Sequence, residues 1–193
     1  MLSYKESLKI LKETNALLEG HFILSSGLHS PKYVQCAQLL SKPWKALEIC
    51  SSLAEKIKKE FLKIDLILTP AIGGIVVGYE IGRLLKKETI FCERLNNKFA
   101  LRRGFKINKN SNVLVVEDVI TTGKSSLECS DLILKAEANI LGFACIIDRS
   151  TGNSRINKKI ISQIEIDIPT YNKDNLPDNL SKIKATTPGS RKL

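Results

Sequence analysis

The residues best suited to chemistry lie in one stretch, VLVVEDVITTGKS, at positions 113–125. Four apolar residues precede two acids, Glu117 and Asp118, and a turn rich in hydroxyls and glycine follows at 121–125. In open α/β sheets, ligands bind outside the carboxyl ends of the strands. A turn that opens into a helix presents backbone N–H groups to a phosphate, and Gly123 lets the backbone come close. The stretch therefore predicts a phosphate site beside two carboxylates.

The same turn contains Gly123-Lys124-Ser125, which invites comparison with the Walker A loop of nucleoside triphosphatases. That loop needs a glycine five positions before Gly123, and Asp118 occupies the position. A carboxylate there would repel a triphosphate, whereas paired acids suit a sugar phosphate, whose hydroxyls donate hydrogen bonds to carboxylates. The expected ligand carries both a phosphate and hydroxyl groups.

Basic residues supply a second kind of chemistry. Arg149 follows an apolar run at 140–147, and its guanidinium can pair with a ligand carboxylate, although an ion pair with Asp148 or at the surface is the alternative. The stretch 94–112 has no sustained apolar run and is long for a connection, which is typical of functional lids or disordered segments. Its basic residues include Arg94, Lys98, Arg102 and Arg103. Any one of these four can instead be a solvated charge.

The elements that position these residues alternate between strand and helix from about residue 64 onward, which predicts a mostly parallel sheet with crossover helices. The predicted strands are 66–68, 90–92, 113–116, 140–147 and, more weakly, 164–168. The predicted helices are 4–19, 75–87, 125–138 and one capped by Ser41, with Pro43 in its first turn and Trp44, Leu47, Leu53 and Ile57 on one face. The segment 21–40 is turn-rich, and the N-terminal pieces precede the sheet.

Composition bounds the class of protein. The 193 residues are 43% apolar and fit one domain, 1–193. No stretch approaches the roughly 18 apolar residues of a membrane span, and the N-terminus lacks the apolar core of a signal peptide, so a cytoplasmic protein is expected. Five scattered cysteines in apolar contexts are interpreted as reduced core residues, and His21 and His29 as turn or surface residues. The formal charge of +10 fits nucleic acid, a membrane surface or a polyanionic substrate and does not choose between them.

The acid pair followed by Val-Ile-Thr-Thr-Gly resembles the phosphoribosyl pyrophosphate signature of type I phosphoribosyltransferases. The resemblance implies an α/β fold in which helices flank a mostly parallel central sheet, with a small N-terminal hood to which residues 1–40 contribute. It implies that Glu117 and Asp118 hold the ribose hydroxyls and that 121–125 holds the 5′-phosphate. The phosphoribosyl pyrophosphate site is predicted to comprise Glu117, Asp118, Val119, Ile120, Thr121, Thr122, Gly123, Lys124, Ser125, Ile72 and Gly73.

The segment FILSSGLHSPKY at 22–33 resembles the start of orotate phosphoribosyltransferases, with Ser25 where many members have lysine. The final TPGSR at 187–191 also resembles the tail of this subfamily. By this resemblance the residues that contact orotate are Thr121, Arg149, Ser26, Gly27 and Tyr33.

The segment TPAIGG at 69–74 resembles the pyrophosphate-binding loop, which implies a cis peptide next to Ala71 or Ile72. Some orotate enzymes carry lysine at the position of Gly73. The stretch 94–112 occupies the place of the mobile catalytic loop, in a shorter variant containing Arg-Arg-Gly-Phe. The predicted catalytic residues are Arg94, Lys98, Arg102, Arg103 and Asp118.

The implied reaction joins orotate to phosphoribosyl pyrophosphate and yields orotidine 5′-monophosphate, a step of pyrimidine synthesis. Mg²⁺, held mainly by substrate oxygens rather than by protein ligands, and a homodimer are implied with it. Neither nucleic acid nor a membrane is expected as a partner. Two alternatives stay open: an enzyme of the same fold acting on a purine or uracil, and a regulator of this fold that binds RNA through its basic surface.

Overall fold

The computed structural model describes residues 1–24 and 26–188. Ser25 and the last residues of the predicted tail, from Gly189 to Arg191, lie outside the described part. In chain order the strands are β1 (Leu17–Ile23), β2 (His29–Val34), β3 (Leu66–Pro70), β4 (Glu88–Leu95), β5 (Lys98–Leu101), β6 (Asn112–Ile120), β7 (Asn139–Asp148) and β8 (Ile160–Glu165). The α-helices are α1 (Tyr4–Glu13), α2 (Cys36–Leu40), α3 (Pro43–Glu60), α4 (Gly73–Leu85), α5 (Lys124–Lys135) and α6 (Asp178–Ser181).

A six-stranded sheet with the order β5-β4-β3-β6-β7-β8 forms the centre. All its neighbours pair in parallel except β5, which runs antiparallel to β4. Alternate residues of β6 enter two cores: Leu114 and Val116 join the cluster that contains α3 and α4, and Val113 and Val115 join the one that contains α5. Burial on both faces explains the continuous apolar run of this strand.

The β1–β2 hairpin forms a separate two-stranded sheet, which is the predicted hood. It is tied to the C-terminal segment by the backbone N–H of Ile23, which donates to the carbonyl of Thr186 at 2.8 Å. The two histidines, predicted to be turn or surface residues, are instead strand residues buried in this hairpin, with His21 5% and His29 6% exposed. Nε2 of His21 lies 2.6 Å from Nδ1 of His29, and each ring therefore gives the other a polar partner inside the hairpin.

Two predictions for helices of the N-terminal part were wrong. The first helix ends at Glu13, because Asn15 adopts a left-handed conformation with φ 59°, and Leu17 belongs to β1. Ser41 does not cap α3; its hydroxyl donates back to the carbonyl of Gln38 in α2.

Two of the four residues predicted for the apolar face of α3 are buried. Leu53 and Ile57 are fully buried, whereas Trp44 is 66% and Leu47 40% exposed. Pro43 stands in the first turn, as predicted.

The predicted strands and helices of the sheet region are confirmed, with shifted ends. The weak strand begins earlier, at Ile160, and ends at Glu165. The stretch 94–112 is not wholly a loop, since it contains the end of β4 and all of β5, with Phe99 and Ile107 buried. The five cysteines are free and buried, as predicted. None of the helices within 1–24 and 26–188 is long and apolar enough to cross a bilayer.

Candidate active site

The acid pair lies at the carboxyl end of β6. Glu117 is 6% exposed and accepts a hydrogen bond from the hydroxyl of Ser126 at 2.9 Å. Burial raises the pKa of Glu117 from 4.5 to about 7, with a smaller contribution from the charge of Asp118. Burial likewise raises the pKa of Asp118, whose Oδ1 accepts a hydrogen bond from the backbone N–H of Val119 at 2.9 Å. Both carboxylates thus lie where a polyhydroxylated ligand can replace the water they have lost.

The predicted phosphate turn follows directly. Gly123 has φ 76° and is the N-cap of α5, so the first N–H groups of the helix have no partner within it. A Cβ atom at Gly123 would lie 2.8 Å from Cγ1 of Ile156, so the position needs glycine for space as well as for conformation. Thr121, Thr122 and Lys124 are exposed around the turn. The arrangement is suited to an anion at the N-terminus of a twelve-residue helix.

The loop between β3 and α4 meets the acid pair from the side. The peptide bond between Ala71 and Ile72 is cis, as the resemblance implied. A Cβ atom added at Gly73 would lie 2.6 Å from Oδ2 of Asp118, so the loop backbone packs directly against this carboxylate. The side chain of Ile72 is 85% exposed. Gly73 and Asp118 are therefore brought together, and glycine at this position makes room for the acid.

Arg149 stands at the carboxyl end of β7, and its backbone N–H donates to the carbonyl of Ile120 at 2.8 Å. Its Nε is buried and has no hydrogen-bond partner among the described residues. Burial lowers the pKa of this guanidinium, and the nearby Tyr33 opposes that effect. No ion pair joins Arg149 to Asp148 in the described part of the chain, and Oδ1 of that carboxylate accepts the backbone N–H of Ser150 at 2.7 Å. A buried donor without a partner fits a ligand with a carboxylate or carbonyl oxygen.

The hairpin contributes the other predicted orotate residues. Tyr33 packs against Phe22 with 5.9 Å between ring centroids, and it lies near enough to Arg149 to affect the pKa of the guanidinium. Ser26 and Gly27 form the turn of the hairpin, where the N–H of Gly27 donates to the carbonyl of Leu24 at 2.9 Å. No hydrogen bond joins Ser26 or Gly27 to Arg149 in the described structure, so their contact with a base stays a prediction.

The basic residues of 94–112 pair with acids of the chain itself. Arg94 lies 2.7 Å from Glu128, and Arg103 lies 2.7 Å from Glu93. Arg102 also approaches Glu93, at 3.7 Å, and Lys98 is exposed at the start of β5. No ion pair or hydrogen bond within the described residues joins these four to Asp118 or Gly73, so their catalytic role stays a prediction.

Sequence reasoning missed Ser126, the residue that holds Glu117. It lies one position beyond the motif, and nothing in the pattern indicates that its hydroxyl turns inward. The one feature of the sequence that bears on this contact is the position of Ser126 in the first turn of α5, nine residues after Glu117.

The model of the protein family described as "Phosphoribosyl transferase domain" matches residues 37–175 of this chain. The orotate phosphoribosyltransferase of Parvibaculum lavamentivorans is 47% identical over 189 residues, which cover 96% of this chain and 97% of that protein. The orotate phosphoribosyltransferase of Methylorubrum populi is 44% identical over 190 residues, covering 98% and 97%. The chain belongs to the orotate phosphoribosyltransferase family.

A solved structure supports the architecture expected of this family. The orotate phosphoribosyltransferase of Aeropyrum pernix aligns with a TM-score of 0.71 at 22% identity, covering 82% of this chain and 92% of that one. At this identity the likeness concerns the fold. The predicted α/β fold and the predicted enzyme class, a pentosyltransferase, are confirmed.

Proposed function

We propose that this chain transfers the ribose 5-phosphate group of phosphoribosyl pyrophosphate to N1 of orotate, giving orotidine 5′-monophosphate and pyrophosphate in de novo pyrimidine synthesis. The observation that carries the choice of base is the buried Nε of Arg149, a cationic donor without a partner. Orotate differs from uracil by a carboxylate, and a guanidinium pairs with a carboxylate through two parallel hydrogen bonds. The 40–47% identity to orotate phosphoribosyltransferases over nearly the whole chain supports the same choice.

The substrate would lie across the carboxyl ends of β3, β6 and β7. The N-terminus of α5 and the turn at 119–125 hold the 5′-phosphate, and Glu117 and Asp118 accept hydrogen bonds from the ribose hydroxyls. The backbone around Ile72 and Gly73 faces the pyrophosphate. Thr121, Arg149, Ser26, Gly27 and Tyr33 surround the base. This arrangement aligns N1 of orotate with the anomeric carbon, which is the main requirement of a displacement reaction.

The transition state develops positive charge on the sugar and negative charge on pyrophosphate. The carboxylates of Glu117 and Asp118, held in a poorly solvated site, stabilise the positive charge. Arg94, Lys98, Arg102 and Arg103 would stabilise the leaving group after exchanging their present acidic partners for it. Closure of 94–112 would exclude water from the activated sugar.

Mg²⁺ fits this site as a substrate-bound ion. Within the described residues no group of three or more His, Cys, Asp or Glu side chains could hold a metal ion alone. Mg²⁺ commonly retains several substrate and water oxygens rather than occupying a protein cage, so the pyrophosphate and ribose oxygens are its expected ligands here. When bound, the ion neutralises the leaving pyrophosphate.

We also propose a homodimer. Helices α3 and α4 contact each other, and we propose that their exposed apolar residues, with Ile72 at the N-cap of α4, form one apolar patch, since such patches mark interaction surfaces. Its members are Trp44, Leu47, Ile72, Val76 and Tyr79, which are 40–85% exposed. Ile72 belongs to both the patch and the pyrophosphate loop, so a second copy docked here would lie beside the site.

The five free buried cysteines favour a reducing compartment, which supports a cytoplasmic location.

Tyr79→Asp tests the dimer, since a charge in a buried interface should shift the protein to monomer in sedimentation velocity. Leu62→Asp is the matched control, because Leu62 is 88% exposed and lies outside the patch. A wild-type protein that sediments as a monomer, or a control that dissociates equally, would contradict the proposed interface.

The function itself is tested by mixing the protein with phosphoribosyl pyrophosphate, Mg²⁺ and one base at a time. Orotate should yield orotidine 5′-monophosphate, and uracil, hypoxanthine and adenine should react far more slowly. Preference for a purine or for uracil would refute the assignment of the base.

A further inference from the structure

Among the described residues, Oε2 of Glu117 has one hydrogen-bond donor, the hydroxyl of Ser126. The two residues come from different elements, β6 and α5, and their side-chain oxygens lie 2.9 Å apart in the protein interior. Ser126 is fully buried, so its hydroxyl cannot turn to water instead. No described residue donates a hydrogen bond to the other oxygen of Glu117, Oε1, which is left for a ligand at the end of β6.

The groups around Glu117 make this hydroxyl important. Asp118 stands beside it on β6, Cys129 faces it from α5, and Cys145 pairs with it from β7. None of the three carries positive charge. The hydroxyl of Ser126 is thus the group of this chain that favours the ionised carboxylate, against burial and the charge of Asp118.

The hydroxyl of Ser126 has a different kind of acceptor from the hydroxyl of Ser130, the other buried serine of α5. Ser130 donates its hydroxyl to the carbonyl of Ser126, four residues earlier at 3.1 Å, which is the ordinary habit of a serine within a helix. The equivalent carbonyl for Ser126 belongs to Thr122, and that one receives the backbone N–H of Arg155 at 3.2 Å. Ser126 turns to the carboxylate instead.

We propose that Ser126 is a positioning residue for the phosphoribosyl group: it holds Oε2 of Glu117 so that Oε1 faces the ribose hydroxyls. Ser126 does not itself touch the substrate. This inference rests on the proposed function, because it assigns Glu117 to the ribose.

Ser126→Ala is the test, and Ser130→Ala is its matched control, since it removes the same hydroxyl from the same helix at a similarly buried site. Loss of a hydrogen bond to a charged group should raise the KM for phosphoribosyl pyrophosphate about tenfold and move the acidic limb of kcat/KM up by about one pH unit. The KM for orotate should stay within about twofold of wild type, as should every parameter of the control. In a Glu117→Ala background, which removes the acceptor of the Ser126 hydroxyl, Ser126→Ala should have no further effect on the KM for phosphoribosyl pyrophosphate.

A second measurement is independent of turnover. Carbon-13 NMR of labelled glutamate carboxyls, with Glu117→Gln to identify the signal, should show a higher Glu117 pKa in Ser126→Ala than in wild type or Ser130→Ala. Equal effects of the two serine variants, or an unchanged Glu117 pKa, would overturn the inference while wild-type turnover of orotate still upheld the proposed function. A wild-type protein that makes no orotidine monophosphate would instead remove the proposed function, and the ribose role of Ser126 with it.

Discussion

Replacing Glu117 with glutamine should make the free protein more stable at alkaline pH. Burial raises the pKa of this carboxyl from 4.5 to about 7, so the folded state favours its protonated form. A raised pKa contributes stability that is fully present below the unfolded value of 4.5 and is lost as pH rises through about 7. At 1.36 kcal/mol per pH unit, the interval between 4.5 and about 7 corresponds to roughly 3 kcal/mol.

Glutamine keeps the shape of the side chain and an oxygen for the hydroxyl of Ser126, but it cannot ionise. The free energy of unfolding, measured by urea titration between pH 5 and pH 8.5, should therefore fall by roughly 3 kcal/mol more in wild type than in Glu117→Gln. Asp118 also has a raised pKa, and its contribution has the same sign and is present in both proteins. Glu88→Gln is the control, because Glu88 is exposed at the start of β4. Parallel pH profiles of wild type and Glu117→Gln would refute the claim that burial governs this carboxyl.

Arg149→Ala should raise the KM for orotate between about tenfold and a hundredfold, because a charge-assisted hydrogen-bonded pair is worth about 1.5–3 kcal/mol. The KM for phosphoribosyl pyrophosphate should change little. Steady-state kinetics with each substrate varied in turn measures both KM values. Gly73→Ala should lower kcat/KM by displacing the carboxylate of Asp118, and in an Asp118→Ala background the same change should cost little, which a double-mutant cycle measures. His21→Ala should lower the free energy of unfolding by about 1–3 kcal/mol in urea titration, since it removes the bonds of His21 to His29 and to the carbonyl of Ile183. An unchanged KM for orotate in Arg149→Ala would contradict the first expectation. Additive losses of kcat/KM in the cycle of Gly73→Ala and Asp118→Ala would contradict the second, and an unchanged urea midpoint in His21→Ala the third.

The strand, turn and helix start of 113–125 could be predicted because they depend on neighbours in sequence. Four apolar residues make a strand that is buried on both faces, and Gly123 begins the next helix directly after the turn. The position of the acid pair at the end of the strand follows from these local facts. The same holds for Arg149, which follows a long apolar run. Local patterns thus located the candidate site.

The N-terminal helix was overextended because Leu17 and Leu18 fit a helical period as well as a strand. What decides between them is Asn15, whose left-handed conformation ends the helix, and the pairing of Leu17 with Val34 of β2. A strand pair formed across a turn is not visible in the periodicity of one segment. The N-terminal leucines therefore carried too little information to fix the boundary.

Contacts between side chains far apart in the chain could not be predicted from the sequence, for a different reason. Ser126 is one of many serines, and only the packing of α5 against β6 turns it toward Glu117. His21 and His29 look like ordinary turn residues until the hairpin register brings their rings together. Periodicity predicts which residues are buried, but the partner of a buried polar group depends on the tertiary structure.

The ion pairs of 94–112 do not cancel the positive charge of this edge of the sheet. Arg94 is matched by Glu128, whereas Arg102 and Arg103 both approach Glu93. One carboxylate cannot neutralise two guanidiniums, so this pair keeps a net positive charge even in its paired state. Under the proposed function, an arriving pyrophosphate would be attracted before any pair breaks, and exchange of Glu93 for a multiply charged anion would strengthen the hydrogen bonds of the arginines. The ion pairs with Glu93 are thus compatible with the proposed role of Arg102 and Arg103 in binding the leaving group.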